Sequence, residues 1–249
     1  MKLRPPNDYT IYTFEIPSTG EKKRFRPFLV KENKALMIAQ ATEDESVMIE
    51  TLKNIIQSTC MDEIDTEQLA TFDCEYLLLK LRSISMGDTV ELYFYCDAEN
   101  GEIHKTEDDE NRKVILPFNL GEVSIENIEE YTRDLRLSDT LMVRMAVPNL
   151  TMVNKISELN EDDGIDNYIK VIATSIEQII TEEEVINLTD GDISTEELVE
   201  WLEMLTQEQF DIIIDFFKNI PFCCMDIRWT CPVCGKENVR KVGGLLSFF

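Results

Sequence analysis

Cys231-Pro-Val-Cys234-Gly235 stands near the end of this chain, after the pair Cys223-Cys224 and before the apolar tail Gly243-Gly-Leu-Leu-Ser-Phe-Phe249. Two thiolates three residues apart can bind one tetrahedral zinc ion. A glycine directly after them lets the backbone amides fold back over the sulfur atoms. The spacing therefore predicts a zinc-knuckle-like segment, and the rest of the fold prediction starts from it.

The knuckle supplies only two ligands, Cys231 and Cys234, whereas a structural zinc site usually has four. Cys223 can add a third, but its neighbour cannot easily join it, because adjacent side chains of an extended segment point in opposite directions. Cys96 and His104, eight residues apart, are further candidates and would form the second half of a ribbon. Two interpretations stay open: a structural zinc site, or buried free thiols left from a degenerated site.

Composition indicates a folded protein without a membrane span. The chain has 249 residues, of which 43% are hydrophobic, and its seven cysteines are scattered over its length. No apolar run reaches the roughly 18 to 20 residues of a membrane span, and the polar start Met1-Lys-Leu-Arg-Pro-Pro is not a signal peptide. We expect the cysteines to be reduced or metal-bound, in a cytosolic compartment.

The chain is strongly acidic, and its charged residues are unevenly distributed. The net charge is −25, from 49 acidic and 24 basic residues, yet residues 1–34 carry eight basic against four acidic side chains. An acidic field repels phosphates, so nucleic acids and anionic membranes are poor partners for the middle of the chain. A basic protein partner suits it, and an acidic surface kept for solubility explains it equally well.

Periodicity predicts helices that flank a small group of strands. The predicted strands are 9–16, 22–30, 89–96, 114–119 and 141–147; the predicted helices include 31–60, 66–85 and 166–184. Ser194-Thr-Glu-Glu197 and Thr206-Gln-Glu-Gln209 match the capping box that begins a helix. This order predicts an α+β fold, with a mostly helical body, a small inserted antiparallel β-unit and the zinc-knuckle-like segment at the C-terminus.

Three segments follow from this order. Residues 1–88 would form an N-terminal β-hairpin with helices, and residues 89–148 the small β-unit. Residues 149–249 would form a C-terminal helical region with the Cys-x-x-Cys knuckle and the apolar tail.

No motif indicates catalysis. His104 is the chain's only histidine, and it lies in an acidic stretch with no recognisable nucleophile beside it. We therefore interpret His104 as a solvated loop residue and not as a catalytic base. Phosphate-binding glycine loops, hydrolase elbows and zinc-protease helices are all absent from the sequence. We therefore expect a protein that is not an enzyme, whose only cofactor would be structural zinc.

Two aromatic segments are candidates for partner binding. Phe25-Arg26-Pro-Phe28 combines a basic side chain with aromatics and a stiff proline, as protein interfaces do, or it is a strand end that caps the core. The tail that ends in Phe248 and Phe249 is costly to leave in water. It either docks on the chain's own helices, for which 210–217 offers an apolar face, or it binds a partner.

Five segments together resemble one family, the baseplate hub assembly proteins of T-even-type contractile-tailed phages. They are Phe25-Arg-Pro-Phe-Leu-Val-Lys-Glu-Asn-Lys-Ala-Leu36, Tyr76-Leu-Leu-Leu-Lys-Leu-Arg-Ser-Ile-Ser-Met-Gly-Asp88, Gln209-Phe through Phe216-Phe-Lys-Asn-Ile-Pro221, Cys231-Pro-Val-Cys-Gly235 and Gly244-Leu-Leu-Ser-Phe-Phe249. They cover nearly the whole chain in the family's order. The chain departs from the family at Cys96-Asp-Ala-Glu, where many members carry a second Cys-x-x-Cys.

The resemblance implies a non-enzymatic tail assembly factor that promotes assembly of the baseplate hub. Its partners would be hub and tape-measure proteins, bound in a chaperone-like way by acidic helical faces and exposed apolar strips in the host cytoplasm. The alternative is a structural subunit that stays in the hub of the virion tail baseplate. Self-association into a homo-oligomer stays open.

Overall fold

The computed structural model describes residues 9–42, 44–96, 113–152, 164–188 and 193–244. The chain folds into two compact units. Unit 1 combines three stretches, 1–66, 72–126 and 222–249, and unit 2 combines 67–71 with 127–221. The third stretch of unit 1 is therefore separated from the other two, in the sequence, by most of unit 2.

Helices and strands alternate in short groups along the chain. In chain order they are β1 (Tyr12–Glu15), β2 (Lys22–Phe25), α1 (Val30–Thr42), α2 (Glu45–Thr59), α3 (Thr71–Met86), β3 (Thr89–Tyr95), β4 (Lys113–Asn119), β5 (Ser124–Glu126), β6 (Asp134–Arg136), β7 (Leu141–Met145), α4 (Gly164–Thr174), β8 (Ile176–Thr181), β9 (Val185–Asn187), α5 (Thr195–Glu203), α6 (Gln207–Lys218), β10 (Phe222–Thr230) and β11 (Glu237–Gly243). None of the described helices is long and apolar enough to cross a lipid bilayer.

Unit 1 contains three small antiparallel sheets. β1 pairs with β2, β3 pairs with β4, and β10 lies between β11 and β5. The β1–β2 hairpin is fastened to the end of α2, because the Arg26 N–H donates to the Thr59 carbonyl at 3.0 Å and Phe25 forms a β-bridge with Cys60. Phe25 is fully buried and stacks on Phe14 with ring centroids 5.5 Å apart.

Unit 2 is built on one four-stranded antiparallel sheet, in the order β6-β7-β8-β9. Its core joins side chains of this sheet to apolar faces of α4, α5 and α6. The buried members include Val143, Met145, Ile172, Ile176, Leu198, Leu202, Ile213 and Phe216. Each of these helices is amphipathic, and burying its apolar face is the main source of its stability.

Both predicted capping boxes are confirmed. The Ser194 side chain accepts from the Glu197 N–H, and the Glu197 carboxylate accepts from the Ser194 N–H. Thr206 and Gln209 make the same reciprocal pair at the start of α6. The reciprocal bonds satisfy backbone donors that a helix start would otherwise leave free, so these two helices begin where the sequence predicts.

The predicted fold class, a mostly helical body with one small inserted β-unit and a zinc-knuckle-like C-terminal segment, is wrong. The described residues form an α+β protein with four sheets, whose strands occur in both units and not in one small insert. The C-terminal segment is a long hairpin, with nine residues in β10 and seven in β11. The second half of β10 has a strand pattern, in which Ile227 and Trp229 are buried between exposed polar neighbours.

Two predicted helices also differ from the structure. The predicted helix 166–184 ends at Thr174, and β8 follows it from Ile176 to Thr181. Ile176, Ile179 and Ile180 are β-branched, so they suit a strand as well as a helix face. The predicted helix 31–60 is two helices, because the Asp44 side chain accepts from the N–H groups of Ser46 and Val47 and begins α2 there. The isoleucines cause the first error, and the capping residue Asp44 inside the predicted helix causes the second.

Candidate metal centre

Two hairpins of unit 1 face each other and bring their ends together. The inward side chains of β10, Met225, Ile227 and Trp229, form one buried cluster with Phe94 of β3. The rings of Phe94 and Trp229 lie 5.0 Å apart between centroids. Cys96 follows β3 directly, and the turn between β10 and β11 holds the Cys-x-x-Cys motif. Packing of the hairpins therefore places Cys96 beside this turn.

Three thiols converge at this end of the hairpins. The sulfur atoms of Cys96, Cys231 and Cys234 all lie within 4.8 Å of one another, and those of Cys96 and Cys234 are 3.6 Å apart. Sulfur ligands about 2.3 Å from a tetrahedral zinc ion lie about 3.8 Å from one another. The sulfur spacing and the all-thiol donor set therefore suit zinc, whereas a disulfide would need about 2.05 Å.

Backbone hydrogen bonds fix the turn that carries two of the thiols. The Cys231 N–H donates to the Lys236 carbonyl, and the Gly235 N–H donates to the Cys231 carbonyl, both at 2.9 Å. Gly235 has a φ of +73°, in the left-handed region that glycine adopts without strain. This turn points the side chains of Cys231 and Cys234 at one place.

The environment favours a thiolate at one position of the cluster. Burial disfavours the charged form of Cys231, but hydrogen bonds from the backbone N–H groups of Cys234 and Val233 and from the neighbouring thiols outweigh it, so its pKa is lowered. At Cys234 a backbone hydrogen bond from Lys236 lowers the pKa, yet burial and the two neighbouring thiols raise it overall. The surroundings therefore favour the deprotonated sulfur that a metal needs at Cys231 more than at Cys234.

The other candidate ligands lie elsewhere. Cys223 is buried at the start of β10, where its N–H donates to the Glu75 carboxylate at 2.7 Å and its sulfur lies 3.8 Å from the Phe72 carbonyl. Its pKa is raised far above the ordinary value because burial and the nearby charge of Glu75 oppose the thiolate. His104 lies outside the described residues. Of the described His, Cys, Asp and Glu side chains, only the three thiols form such a group.

The partner-binding candidates of the N-terminal segment point inward. Phe25 and Arg26 are buried, and Phe28 is half-buried. The Arg26 guanidinium donates to the Glu32 carboxylate at 2.7 Å and to the Ser58 carbonyl at 2.8 Å. These contacts lie within the chain itself, and a role of the segment in partner binding stays a prediction. Phe248 and Phe249 lie outside the described residues, so their role stays a prediction.

Sequence reasoning missed two features: the aromatic pair that joins the hairpins at this site, and the buried ion pair of the N-terminal segment. Phe94 and Trp229 join the two hairpins, and Glu32 neutralises Arg26, but none of the three was a candidate site residue. A signal for Trp229 was present, because β10 alternates between buried apolar and exposed polar positions. No sequence signal pointed to the pairing of Glu32 with Arg26.

Comparison with known proteins identifies the family. The family model described as "T4 bacteriophage base plate protein" matches residues 9–249, which is nearly the entire chain. No curated protein and no solved structure matches the chain significantly. The matched range includes both hairpins and all three thiols of the cluster. The chain therefore belongs to the family of T4 bacteriophage base plate proteins, which makes it a bacteriophage protein of the tail base plate.

Proposed function

We propose that this chain is a non-enzymatic tail assembly factor that promotes assembly of the baseplate hub. The observation that carries the proposal is the family match over residues 9–249. The five segments that resemble hub assembly proteins support the narrower assignment within that family. The chain would act in the host cytoplasm, before the tail is complete, on hub or tape-measure proteins.

Exposed apolar side chains support a chaperone-like mechanism. Both units leave large apolar side chains mostly in water, among them Val30 and Met37 in unit 1 and Met204 in unit 2. Where such side chains cluster, as on the exposed side of α1, they mark a site of protein association. The net charge of −25 keeps such a protein soluble and repels other copies of it. The protein would hold an assembly-prone subunit on this surface until the hub takes it over.

We also propose that Cys96, Cys231 and Cys234 bind one structural zinc ion. The sulfur spacing and the fixed turn at Gly235 support this assignment. His104 stays the predicted fourth ligand, since it follows Cys96 by eight residues. A shared ion would join the end of β3 to the turn after β10 and so stiffen the hairpin pair within unit 1.

The pKa shifts of the described cysteines support a function without catalytic cysteine chemistry. Reactive cysteines have a lowered pKa in an electropositive, partly exposed place. Burial raises the pKa of Cys60, Cys223 and Cys224 instead. Cys231 has a lowered pKa, but the sulfur atoms of Cys96 and Cys234 surround it, which suits a ligand better than a nucleophile.

The alternative function is a structural subunit that stays in the baseplate hub. The family's description, a base plate protein, suits this alternative as well as the first. The stiffened hairpin pair of unit 1 would then serve as a building block and not as a holding surface. The two functions differ in what remains in the mature particle.

An amber mutation early in the gene tests whether the chain is needed for assembly. In a non-suppressing host, we expect electron microscopy of lysates to show few complete tails and filled heads without tails, because the hub starts the baseplate. Wild-type chain supplied from a plasmid should restore tails, which controls for effects on neighbouring genes. Normal tail numbers in the absence of the chain would overturn both proposed functions.

A further inference from the structure

Helix α1 is apolar on two faces. Leu36 and Ala39 are buried in unit 1, as one face of an amphipathic helix should be. On the other side, Val30, Met37 and Ile38 are 85%, 62% and 56% exposed. Neighbouring large apolar side chains on the exposed side of a helix mark a site of protein association. The described residues of the chain leave this second face of α1 in water.

The exposed residues form one continuous stripe. Lys34, Met37, Ile38 and Ala41 follow Val30 at intervals of four, seven, eight and eleven residues, which place them on one side of a helix. Eleven residues of helix extend about 16 Å, or about three turns. We refer to Val30, Lys34, Met37, Ile38 and Ala41 as the α1 stripe. A surface of this shape suits a partner helix laid along it.

Helix α1 itself exposes basic side chains, although the chain has a net charge of −25 and the exposed Asp44 lies just beyond the end of the helix. Lys31 and Lys34 are exposed on α1, and the helix has only one acidic residue, Glu32. Glu32 is 4% exposed and already bound to Arg26 at 2.7 Å. Helix α1 therefore exposes two lysines and no carboxylate, although the amine of Lys31 lies 3.4 Å from the buried Glu32 carboxylate.

A groove lies beside the α1 stripe. It has a volume of about 340 Å³ and is lined by residues of α1 and α2, among them Lys31, Ala35 and Asn54. The groove offers space for side chains of a helix that packs on α1. Its lining includes the ion pair of Lys31 and Glu32, the apolar Ala35 and Ile55, and the hydrogen-bonding side chains of Thr51, Asn54 and Ser58.

We propose that the α1 stripe is a docking site for an acidic amphipathic helix of another baseplate protein. Apolar residues of that helix would cover Val30, Met37 and Ile38, and its flanking carboxylates would pair with Lys31 and Lys34. The inference deepens the proposed function, on which it rests, by naming the surface that takes the partner.

A second copy of the chain suits this surface less well. Two α1 stripes facing each other would bring their lysines together, which costs free energy. The acidic helices α5 and α6 bury Leu198, Leu202, Ile213 and Phe216 in their own unit, so another copy does not present these apolar side chains. Charge and burial together favour a different protein as the occupant.

The probes for the test are synthetic peptides of about 25 residues, long enough for about seven helical turns. They tile the baseplate and tail proteins of the encoding phage and also this chain's own sequence. Binding of fluorescent peptides to the full-length protein is measured by anisotropy. We expect the bound peptides to be acidic and amphipathic. Ile38→Glu should weaken their binding at least about tenfold. The double variant Lys31→Glu/Lys34→Glu should also weaken their binding.

Ile115→Glu is the matched control, because Ile115 on β4 is 52% exposed and belongs to the same unit. It should leave peptide binding unchanged. Binding unaffected by Ile38→Glu, binding only by basic peptides, binding only by peptides of this chain, or no binding at all would each overturn the proposal. These results are independent of the amber test, so a failed docking site and a failed assembly function can be told apart.

Discussion

Replacing Cys231 with serine is expected to remove bound zinc and to lower the stability of the protein strongly. Protein prepared without chelators should carry about one zinc ion per chain, and Cys231→Ser should carry almost none. Loss of the ion is expected to cost on the order of 5 kcal/mol, because metal binding is coupled to folding. For a chain of this size that corresponds to a fall in melting temperature of roughly 10–20 °C.

Cys60→Ser is the control for the zinc prediction, since Cys60 is half-buried and does not belong to the thiol cluster. It should keep its zinc and melt close to the wild type. Elemental analysis gives the metal content, and calorimetry gives the melting temperature. Wild-type protein without metal, or a Cys231→Ser variant with its zinc intact, would exclude the proposed centre.

Arg26→Ala is expected to be the most damaging change in the N-terminal segment. The guanidinium of Arg26 and the carboxylate of Glu32 are 6% and 4% exposed as residues, and they are 2.7 Å apart. Removing Arg26 takes away the buried partner of this carboxylate and leaves only the exposed amine of Lys31, 3.4 Å from it. Breaking a buried pair typically costs about 3–5 kcal/mol, and Lys31 should keep the loss near the lower end of that range. Urea denaturation followed by circular dichroism measures the free energy of unfolding.

Arg24→Ala is the matched control for Arg26→Ala. Arg24 also pairs with a carboxylate, that of Asp62, but its side chain is 60% exposed. Solvent screens such a pair, so the variant should unfold nearly like the wild type. If the two variants lost the same free energy of unfolding, burial of the Arg26–Glu32 pair would not contribute to stability as proposed.

The effect of Arg26→Ala should also depend on pH. Burial disfavours the ionised form of Glu32, but hydrogen bonds from Arg26 and the Leu29 N–H and the charges of Arg26 and Lys31 outweigh it, so its pKa is lowered. A lowered pKa in the folded state means stability that is complete above the unfolded pKa of about 4.3. That contribution is lost as the pH falls through the folded pKa. The gap between wild type and Arg26→Ala should therefore narrow under acid conditions.

The parts of the fold that could be predicted from the sequence have local causes. The capping boxes at Ser194 and Thr206 depend on residues three apart, so they are visible in the sequence itself. The turn at Gly235 is local in the same way, since its hydrogen bonds lie within six residues. Elements with strong local chemistry are therefore the ones that the sequence places correctly.

The errors arise where packing over long distances decides. β10 belongs to unit 1 because its inward side chains pack on β3 and β4, more than a hundred residues earlier. Ile176 and Ile179 suit a helix face as well as a strand, and pairing with β7 makes them a strand. The sequence named Cys96, Cys231 and Cys234 among its candidates, but it could not separate them from Cys223, whose position depends on Glu75 and Phe72.

Quantitative mass spectrometry of purified virions, compared with infected cells, tests the assembly-factor role most directly. We expect the chain to be abundant in cells during tail assembly and to be missing from mature particles, whereas the other baseplate proteins keep fixed copy numbers. A fixed number of copies in every virion, in proportion to the other hub proteins, would contradict this role and identify the chain as a structural subunit of the baseplate.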